Sequence, residues 1–438
     1  MIIVGAGVAG LAAACQLGRA GVSVQILEAR DRIGGRVLTR FDAGCDFPIE
    51  LGPEFIHGKP AEIWELLEKS KAEITEVEGE SWCVEQERLT PCGFWKDVDD
   101  ILEKMDDRLP DESFADFLDR CCRSARKRPS ERAQQRALGY VSGFNAADPA
   151  LVGVHWLVKS MRAEQTIQGD RAFRSRNGYK DLLDVFDREL KKYNIALQLA
   201  TVVEQLRWEA GNVQLKVRDQ KGESTFEAAR ALITLPLSLL KAPVGNLGVI
   251  QFVPELPLQS KIALDTLEMG SVIRVTLRFR ERFWDDVKPP HSTKSLSDMS
   301  FLFTQDDWFP TWWTAHPENW PIITGWAPFR CAERLSGKDV SFVKEQALQT
   351  LGTTLRFDRS ELENLLEAVH FHDWQTDPFS LGAYSYAKVG ADGAQQALAE
   401  PVENTLFFAG EATDTTGHNG TVHGAIASGY RAARQILL

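Results

Sequence analysis

The feature that most constrains the fold is a glycine pattern at the start of the chain. A short apolar run over residues 2–4 suits a buried strand, and Gly5, Gly7 and Gly10 follow it as G-x-G-x-x-G, with Ala9 inside the same turn. The first glycine of such a motif permits a tight turn, the second lets the backbone approach a pyrophosphate, and the third lets helix and strand pack closely. The pattern predicts a strand–helix unit that binds a dinucleotide at the helix N-terminus.

The residues after the next predicted strand, 22–27, sharpen the nature of the cofactor. This strand ends at Glu28, whose carboxylate can accept hydrogen bonds from both hydroxyls of an adenosine ribose. The following E-x-R-x-R-x-G-G-R segment resembles the flavin amine oxidase family, which binds FAD. Its arginines and Gly-Gly backbone can hold the pyrophosphate and ribityl side of that cofactor. The resemblance implies cofactor contacts by Glu28, Ala29, Arg30, Gly34, Gly35 and Arg36.

A second family-like segment lies at the far end of the chain. Both F-x-A-G-E, ending at Gly410-Glu411, and G-T-V-H-G-A, containing Thr421-Val422, resemble the amine oxidases, and the latter is similar to the lysine-specific histone demethylase branch. The resemblance implies that Glu411 contacts FAD and that Val422 gives the isoalloxazine a backbone donor. A helix that begins there would place its free N–H groups near the flavin pyrimidine, where reduced flavin is negatively charged.

Stretches between the two ends resemble the same family. The strand containing Val203 is similar to the one whose valine backbone pairs with adenine in relatives. The W-x-x-D-P-x-x-x-G-x-Y-S-Y segment contains Trp374, which the resemblance places near the flavin, and Tyr384, which it places on the wall of the substrate site. The second aromatic of the usual substrate sandwich corresponds to Thr421, which leaves one side of the sandwich open.

The substrate side offers one polar candidate and a cluster of aromatics. Residues 50–58 resemble the E-L-G-A-x-W-I-H-G segment of animal polyamine oxidases, so His57 is a candidate to contact the amine or take its proton. Amino-acid oxidases commonly have a carboxylate-binding arginine in the equivalent loop. No arginine lies between residues 53 and 58 here, so an amino-acid oxidase is less favoured. Tryptophans are dense from 308 to 326, with Trp284 upstream, and they can line an amine pocket by cation–π contact or simply pack a core.

Arg274 is a departure from the family pattern. The strand around it is similar to a family strand whose lysine holds a water near flavin N5, and no lysine occurs between Lys261 and Lys288. An arginine can hold a water but does not give up its proton. We therefore expect slower or different reactivity with oxygen.

Composition limits the function classes. The 438-residue chain has a net charge of −12, which argues against a nucleic-acid partner and modestly favours cationic substrates. Its apolar runs are too short for a membrane span, and it opens directly in a strand, so we expect no signal peptide and a cytoplasmic location.

The seven cysteines form no CxxC pair and are expected to be reduced thiols. His370 and His372 share a strand face without an evident third ligand, so we expect no metal site.

The order of the elements predicts two interleaved domains of an α/β protein. A Rossmann-like FAD-binding domain would comprise 1–75, 195–245 and 395–438, and an α+β substrate-binding domain 76–194 and 246–394. The apolar periodicity predicts helices at 61–70, 97–108, 131–144 and 179–190. Strands are expected at 202–208, 213–217, 231–235, 272–279, 301–304, 322–325, 369–374 and 405–408.

These observations predict an FAD-dependent oxidase that takes a hydride from the α-carbon of an amine to flavin N5 and releases an imine or aldehyde and H₂O₂. The catalytic candidates are Arg274, His57, Tyr384, Thr421 and Trp374. The partners would be a small amine, with polyamines and monoamines favoured over amino acids, and O₂. Alternatives are an FAD-dependent C–C desaturase and, because of Arg274, an amine dehydrogenase or a low-turnover flavoprotein. A histone demethylase role is disfavoured, since 60–195 is too short for a long helical insertion and no extra N-terminal domain is expected.

Overall fold

The computed structural model describes residues 1–124, 129–290 and 292–438 of the chain. In that part of the chain the strands are β1 (Ile2–Val4), β2 (Gln25–Leu27), β3 (Thr39–Arg40), β4 (Ile49–Glu50), β5 (Ile56–His57), β6 (Ile74–Glu76), β7 (Glu80–Glu85), β8 (Arg88–Pro91), β9 (Ala172–Ser175), β10 (Ala196–Gln198), β11 (Val202–Glu209), β12 (Asn212–Asp219), β13 (Gly222–Ala228), β14 (Ala231–Ile233), β15 (Gln251–Val253), β16 (Leu267–Met269), β17 (Val272–Phe279), β18 (Met299–Phe303), β19 (Thr311–Thr314), β20 (Ile322–Pro328), β21 (Leu366–Phe371), β22 (Ser385–Ala387) and β23 (Leu406–Phe408).

The α-helices of the same residues are α1 (Val8–Arg19), α2 (Ala61–Ser70), α3 (Phe94–Leu102), α4 (Phe114–Ser124), α5 (Glu131–Gly143), α6 (Val154–Thr166), α7 (Lys180–Lys192), α8 (Leu237–Lys241), α9 (Leu258–Thr266), α10 (Arg330–Leu335), α11 (Val340–Leu355), α12 (Arg359–Leu365), α13 (Ala394–Ala399) and α14 (Val422–Leu437). Short 3-10 turns lie at Phe283–Asp286 and Glu411–Thr413. None of these helices combines the length and the apolar character needed to cross a membrane.

A parallel sheet joins segments from the beginning, middle and end of the chain. Its strand order is β10-β2-β1-β14-β23, and every adjacent pair is parallel. Both faces of the sheet are covered, because Ile3 packs in one apolar cluster with α1 and α14 while Ile2 and Val4 pack in another. Burial on both faces explains why these three-residue strands consist almost wholly of apolar residues.

Helices α1 and α14 cross closely on one face of this sheet. A Cβ added at Gly429 would lie 2.3 Å from the carbonyl oxygen of Ala9, so only a glycine allows this approach. The contact places the N-terminal glycine motif beside the C-terminal helix. The two ends of the sequence that carry the family-like motifs are therefore neighbours in space.

A second, mixed sheet of seven strands has the order β21-β17-β20-β19-β18-β7-β8. Ile273, Val275 and Leu277 of β17 pack into the core that α10 and α11 cover. Because side chains alternate along a strand, Arg274 points to the opposite face. The buried Arg274 guanidinium therefore lies on the face of β17 opposite to this core.

Most predicted elements occur close to their expected positions, and one helix is displaced. The helix expected over 97–108 is instead Phe94–Leu102. Acidic and basic residues after Leu102 favour a turn, in which the Asp106 carboxylate accepts a hydrogen bond from the Arg108 amide at 3.0 Å. The hairpin β7–β8 and helix α4 were not predicted from the sequence.

The prediction that all seven cysteines are reduced is wrong for two of them. Cys83 and Cys92 form a disulfide across nine residues, while Cys15, Cys45, Cys121 and Cys331 are free thiols. No simple spacing motif marks this pair, because it is the β7–β8 hairpin that brings the two residues together. The cytoplasmic location, which depended partly on the thiols, stays a prediction without that support.

Candidate active site

The β1–α1 turn has the geometry that a phosphate-binding backbone requires. Gly5 has a φ of 104°, and a Cβ added at Gly10 would lie 2.2 Å from the Gly5 carbonyl oxygen. Gly7, the N-cap of α1, has nothing within 4 Å of its missing Cβ. Gly10 thus provides close helix–strand packing, while Gly7 leaves the helix N-terminus open to a ligand.

Glu28 lies directly after β2 and is almost fully buried. Its Oε2 accepts a hydrogen bond from the Ala6 amide at 2.6 Å, and its Oε1 accepts one from the Arg30 amide at 2.8 Å. Burial raises its pKa, although these two hydrogen bonds oppose the change. Each carboxylate oxygen retains acceptor capacity, so the side chain remains able to bind ribose hydroxyls.

The Gly34-Gly35 turn lies against the glycine motif. The Gly34 amide donates to the Ala6 carbonyl at 2.8 Å, and a Cβ at Gly35 would lie 3.2 Å from Gly7 Cα. Arg32 folds back on this turn and donates to the carbonyls of Gly35 and Val37 at 2.8 and 3.1 Å. Its role in this structure is to fix the turn rather than to reach a ligand.

Arg30 and Asp377 connect the N-terminal motif to the W-x-x-D-P segment. The guanidinium makes two hydrogen bonds to the carboxylate, at 2.8 and 2.7 Å, and a third to Ser380 Oγ at 3.0 Å. Arg30 lines the cavity described below, but its strongest interactions are with protein. Direct pyrophosphate binding by this guanidinium stays a prediction.

Glu411 joins three segments that are distant in sequence. Arg36 donates to Glu411 Oε1 at 3.1 Å, while Ser385 Oγ and the Gly420 amide donate to Oε2 at 2.6 and 3.0 Å. The Glu411 side chain is about 5% exposed. Its charge is therefore compensated within the protein, and it closes the cofactor region between the two sequence motifs.

Helix α14 begins at the same place. Thr421 is its N-cap and accepts a hydrogen bond from the Gly424 amide at 3.0 Å. Val422 is the first helical residue, where a backbone amide has no partner inside the helix. The helix N-terminus is therefore available to an electron-rich group in the cavity.

One cavity of about 1150 Å³ connects these features. Typical small-molecule pockets hold about 300–1,000 Å³, so there is room for a large cofactor and a substrate together. Its wall contains every residue predicted from the sequence as a contact except Gly10: Gly5, Gly7, Ala9, Glu28, Ala29, Arg30, Gly34, Gly35, Arg36, His57, Val203, Arg274, Trp374, Tyr384, Gly410, Glu411, Thr421 and Val422.

Aromatic side chains enclose the end of the cavity around His57. Its ring lies edge-on to Phe144, with centroids 5.3 Å apart, and Phe144 stacks on Tyr140. Tyr384 Oη donates to the Phe144 carbonyl at 2.7 Å. Burial lowers the pKa of His57. Phe144 was not predicted from the sequence, where its signal is the i,i+4 spacing from Tyr140.

The tryptophan cluster divides between cavity and core. Trp313 and Trp326 line the cavity. Trp284 and Trp312 are fully buried in the core of the seven-stranded sheet. Trp320 stacks on Phe47, and Trp308 packs at the edge of that core. Only two of these residues can therefore contact an amine.

Arg274 is held by a buried ionic network. Its Nη1 donates to the Gly52 carbonyl at 2.9 Å and its Nη2 to Glu54 Oε2 at 2.6 Å, whereas its buried Nε has no partner. Glu54 also binds Arg174 Nε at 2.7 Å and Trp313 Nε1 at 3.0 Å. Burial raises the pKa of Glu54, but the two arginines outweigh it and the pKa is lowered. Glu54 was not anticipated from the sequence, because its partners come from β9, β17 and β19.

Carboxylates add negative charge to the same cavity. Glu76 forms an ion pair with Arg171. The acidic residues on this part of the wall are Glu76, Glu78, Asp99, Glu164 and Asp170. His370 and His372, considered above as metal ligands, bind separate carboxylates, Asp42 at 3.0 Å and Asp377 at 2.7 Å.

Comparison with known proteins identifies the class. The family model of flavin containing amine oxidoreductases matches residues 8–437, so the chain belongs to that family. The open Gly7 backbone, the Gly-Gly turn and the free α14 N-terminus fit the FAD that this family binds. The protein is accordingly an FAD-dependent amine oxidoreductase with the α/β amine oxidase fold.

Three similar proteins illustrate the range within the family. Lysine-specific histone demethylase 1 homolog 2 of Arabidopsis thaliana is 28% identical over all of this chain, which spans 58% of that protein's length. Probable polyamine oxidase 4 of Arabidopsis thaliana is 26% identical over 99% of this chain and 86% of its own length. The structure of putrescine oxidase bound to putrescine superposes with a TM-score of 0.81 at 20% identity, covering 100% of this chain and 98% of the other.

Proposed function

We propose that the protein oxidises di- or polyamines by removing a hydride from the carbon next to an amine nitrogen. The observation that carries this proposal is the set of carboxylates on the cavity wall, among them Glu78, Asp99 and Glu164. Such groups attract the additional ammonium groups of a long amine. The polyamine oxidase relatives support the same substrate class.

The aromatic end of the cavity suits the reacting amine. Tyr384, Phe144, Trp313 and Trp326 line the cavity, and aromatic rings can pack on an alkyl chain and stabilise a nearby cation. Thr421 lies on the same wall and leaves space where a second sandwiching ring would stand. We therefore propose Tyr384 and Thr421 as substrate-positioning residues.

His57 is our candidate for handling the proton of the amine. An ammonium has no lone pair to assist departure of a hydride, so the substrate must become neutral before it reacts. Because burial lowers the pKa of His57, its neutral imidazole can accept a proton or a hydrogen bond from the ammonium.

When bound, FAD supplies the hydride acceptor. We propose that it is held by the residues predicted from the sequence, with Trp374 near its ring system and the Val422 amide as a donor. The Trp374 indole is fixed by a 2.7 Å hydrogen bond to the Leu51 carbonyl, and its ring contacts His372. The remaining proposed contacts are Gly5, Gly7, Ala9, Gly10, Glu28, Ala29, Arg30, Gly34, Gly35, Arg36, Val203, Gly410, Glu411 and Thr421.

Oxygen is the proposed electron acceptor, which would give H₂O₂. The observation that favours a second candidate, an amine dehydrogenase, is the engagement of both Arg274 Nη atoms with Gly52 and Glu54. Among its three nitrogens, the buried Nε has no hydrogen-bond partner. The acidic cavity argues against a C–C desaturase, because carotenoids and porphyrins do not carry ammonium groups.

The proposed domain division assigns the two largest sheets to different domains. The parallel sheet with α1 and α14 would form the FAD-binding domain (1–75, 195–245 and 395–438), and the seven-stranded sheet with α3–α6 would form most of the substrate-binding domain (76–194 and 246–394). A cytoplasmic location remains part of the proposal.

The test uses the purified flavoprotein and a panel of amines. Mono-, di- and polyamines of matched chain length, amino acids and methylated lysine peptides are mixed with the enzyme without oxygen, and loss of the oxidised flavin absorbance is recorded. Peroxide release is measured in parallel in air. Glu164→Gln should raise KM for the polyamine more than for the monoamine, because only the former has an additional ammonium group.

Each outcome separates the candidates. Bleaching by di- or polyamines with peroxide release supports the proposed oxidase, and bleaching without peroxide supports the dehydrogenase. Bleaching by methylated lysine peptides alone would replace polyamines with the demethylase substrate class. If no amine bleaches the flavin, the proposed function is wrong.

A further inference from the structure

We propose that Glu164, His418 and His423 form a binding site for a zinc-like divalent cation at the edge of the cavity. The three residues come from different parts of the fold: α6, the loop after the Glu411–Thr413 turn, and the first turn of α14. One ligand atom from each lies within 4.8 Å of the other two. None of the three is among the residues proposed above to bind FAD.

Two imidazole nitrogens in the cluster have no hydrogen-bond partner. His418 Nδ1 and His423 Nε2 are both buried, and His423 as a whole is only 3% exposed. His418 Nδ1 lies 3.8 Å from Glu164 Oε1. Leaving a buried polar atom unpaired is energetically unfavourable. A cation coordinated by these atoms would satisfy both nitrogens at once.

The loop that carries His418 is organised before any ion binds. Asp414 Oδ1 accepts hydrogen bonds from the amides of Gly417 and His418 at 3.1 and 3.0 Å. Asn419 Nδ2 donates to the carbonyls of Glu411 and Asp414 at 3.1 and 2.9 Å. Fixed ligands lose little conformational entropy on binding, which favours a metal site.

Binding requires only a small closure of the side chains. With metal–ligand bonds of about 2.1 Å, tetrahedral ligand atoms lie about 3.4 Å apart, whereas the atoms here lie within 4.8 Å. The His418 and His423 rings already meet with centroids 4.6 Å apart at 70°. Glu164 has the longest and most exposed of the three side chains, so its rotation can supply most of the movement.

The donor set determines the class of ion. Two imidazoles and one carboxylate suit Zn²⁺ or a neighbouring transition metal, whereas Mg²⁺ and Ca²⁺ prefer oxygen ligands. Coordination needs neutral imidazoles. Burial holds the pKa of His423 well below its usual value, which favours its neutral imidazole.

The ion would compete with the amine. Glu164 and His423 line the cavity, so the fourth coordination position is expected to open towards it. Resting on the proposed function, we infer that Zn²⁺ removes the Glu164 charge from substrate recognition and raises KM for a polyamine. The metal site itself does not depend on that activity.

The experiment measures metal binding to the FAD-loaded enzyme directly. In equilibrium dialysis, the unmodified enzyme should bind one more Zn²⁺ ion per chain tightly than the variants below do. Mg²⁺ should not displace that ion. His418→Gln should weaken the Zn²⁺ affinity about a hundredfold or more, and Glu164→Gln should also weaken it. His370→Gln is the matched control, because His370 binds Asp42 and does not line the cavity.

Zinc X-ray absorption on the unmodified enzyme tests the same site without a variant. The expected first shell contains two imidazole nitrogens and at least one carboxylate oxygen. Absence of bound Zn²⁺, sulfur ligands in the first shell, or equal affinity in the unmodified enzyme and His418→Gln would overturn the proposal. Because no amine is present in these measurements, their failure is distinct from failure of the proposed function.

Discussion

Glu54 lies between two arginines in the interior of the protein. Arg174 and Arg274 bind the two oxygens of its carboxylate, and Trp313 contributes a third hydrogen bond. Removing one member of a buried ionic group generally costs about 3–5 kcal/mol, because the remaining charge is left uncompensated. Arg274 is therefore as much a structural residue as a candidate for oxygen chemistry.

Arg274→Lys tests which of these roles dominates. Lysine cannot contact the Gly52 carbonyl and Glu54 in the two-pronged manner of arginine, and its ammonium can hold a water near the cofactor. We expect reoxidation of the reduced flavin by O₂ to accelerate about tenfold, equivalent to about 1.4 kcal/mol in the barrier. Stopped-flow absorbance at matched flavin content is the measurement.

Arg174→Lys is the control for that prediction. It disturbs the same Glu54 carboxylate from outside the cavity wall, so it should lower stability without changing reoxidation. Equal reoxidation rates in the unmodified enzyme and Arg274→Lys would show that this position does not govern reactivity with oxygen.

The part of the cavity wall formed by the glycine motif was more predictable from sequence than the aromatic part. Gly5, Gly7 and Glu28 have positions set by local backbone geometry and short spacing, so a motif was sufficient to place them on the cavity wall. Glu54 and Phe144 contact residues from other parts of the fold. A local sequence pattern does not indicate such contacts. The same limit applies to Glu164, whose neighbours His418 and His423 lie more than 250 residues away.

At the scale of elements, the junction of β1 and α1 has little tolerance for added atoms. In Gly10→Ala the new methyl group would meet the Gly5 carbonyl oxygen at 2.2 Å. Overpacking of this kind costs about 1–3 kcal/mol, and it would also move the turn that approaches the cofactor. We expect a lower melting temperature and a lower ratio of bound flavin to protein.

Gly139→Ala is a matched substitution in another helix. Nothing lies within 4 Å of the missing Cβ at Gly139, so alanine should stabilise α5 by up to about 1 kcal/mol. If Gly10→Ala retained flavin as well as Gly139→Ala does, close packing at this junction would not be required for the cofactor.

The Cys83–Cys92 disulfide links β7 to the short segment that precedes α3. Residues of α3 line the cavity. For a loop of this length, the crosslink contributes about 2–3 kcal/mol by restricting the unfolded chain. We expect a thiol-free reductant to lower the melting temperature of the unmodified enzyme but not that of Cys92→Ser. Thiol titration in denaturant without reductant should find five reactive thiols, seven minus two; seven would contradict the disulfide.

Local periodicity predicted long elements better than short or paired ones. The helix Ala61–Ser70 and the strand Val272–Phe279 were found with their observed bounds. The β7–β8 hairpin was missed because its strands carry mixed polar residues and gain stability by pairing with β18. The start of α3 was misplaced because Phe94 and Trp95 join the helix through aromatic packing against Phe303 and Tyr140.

At the scale of the whole molecule, net charge should influence how substrates arrive. The chain carries a net charge of −12, and carboxylates line the cavity. Raising ionic strength from about 0.01 M to about 1 M shortens the Debye length from about 30 Å to about 3 Å. We expect kcat/KM to fall steeply with salt for a polyamine and only weakly for a monoamine. Parallel salt profiles for the two amines would contradict this account.

The position of β23 and α14 has a consequence for biosynthesis. Residues 406–437 provide the edge strand of the parallel sheet, the Glu411 link to Arg36 and the helix that packs on α1. The N-terminal glycine motif therefore emerges from the ribosome long before the partners that complete its binding site. FAD can be enclosed only after translation has passed residue 437, so cofactor loading is a late event in the maturation of this enzyme.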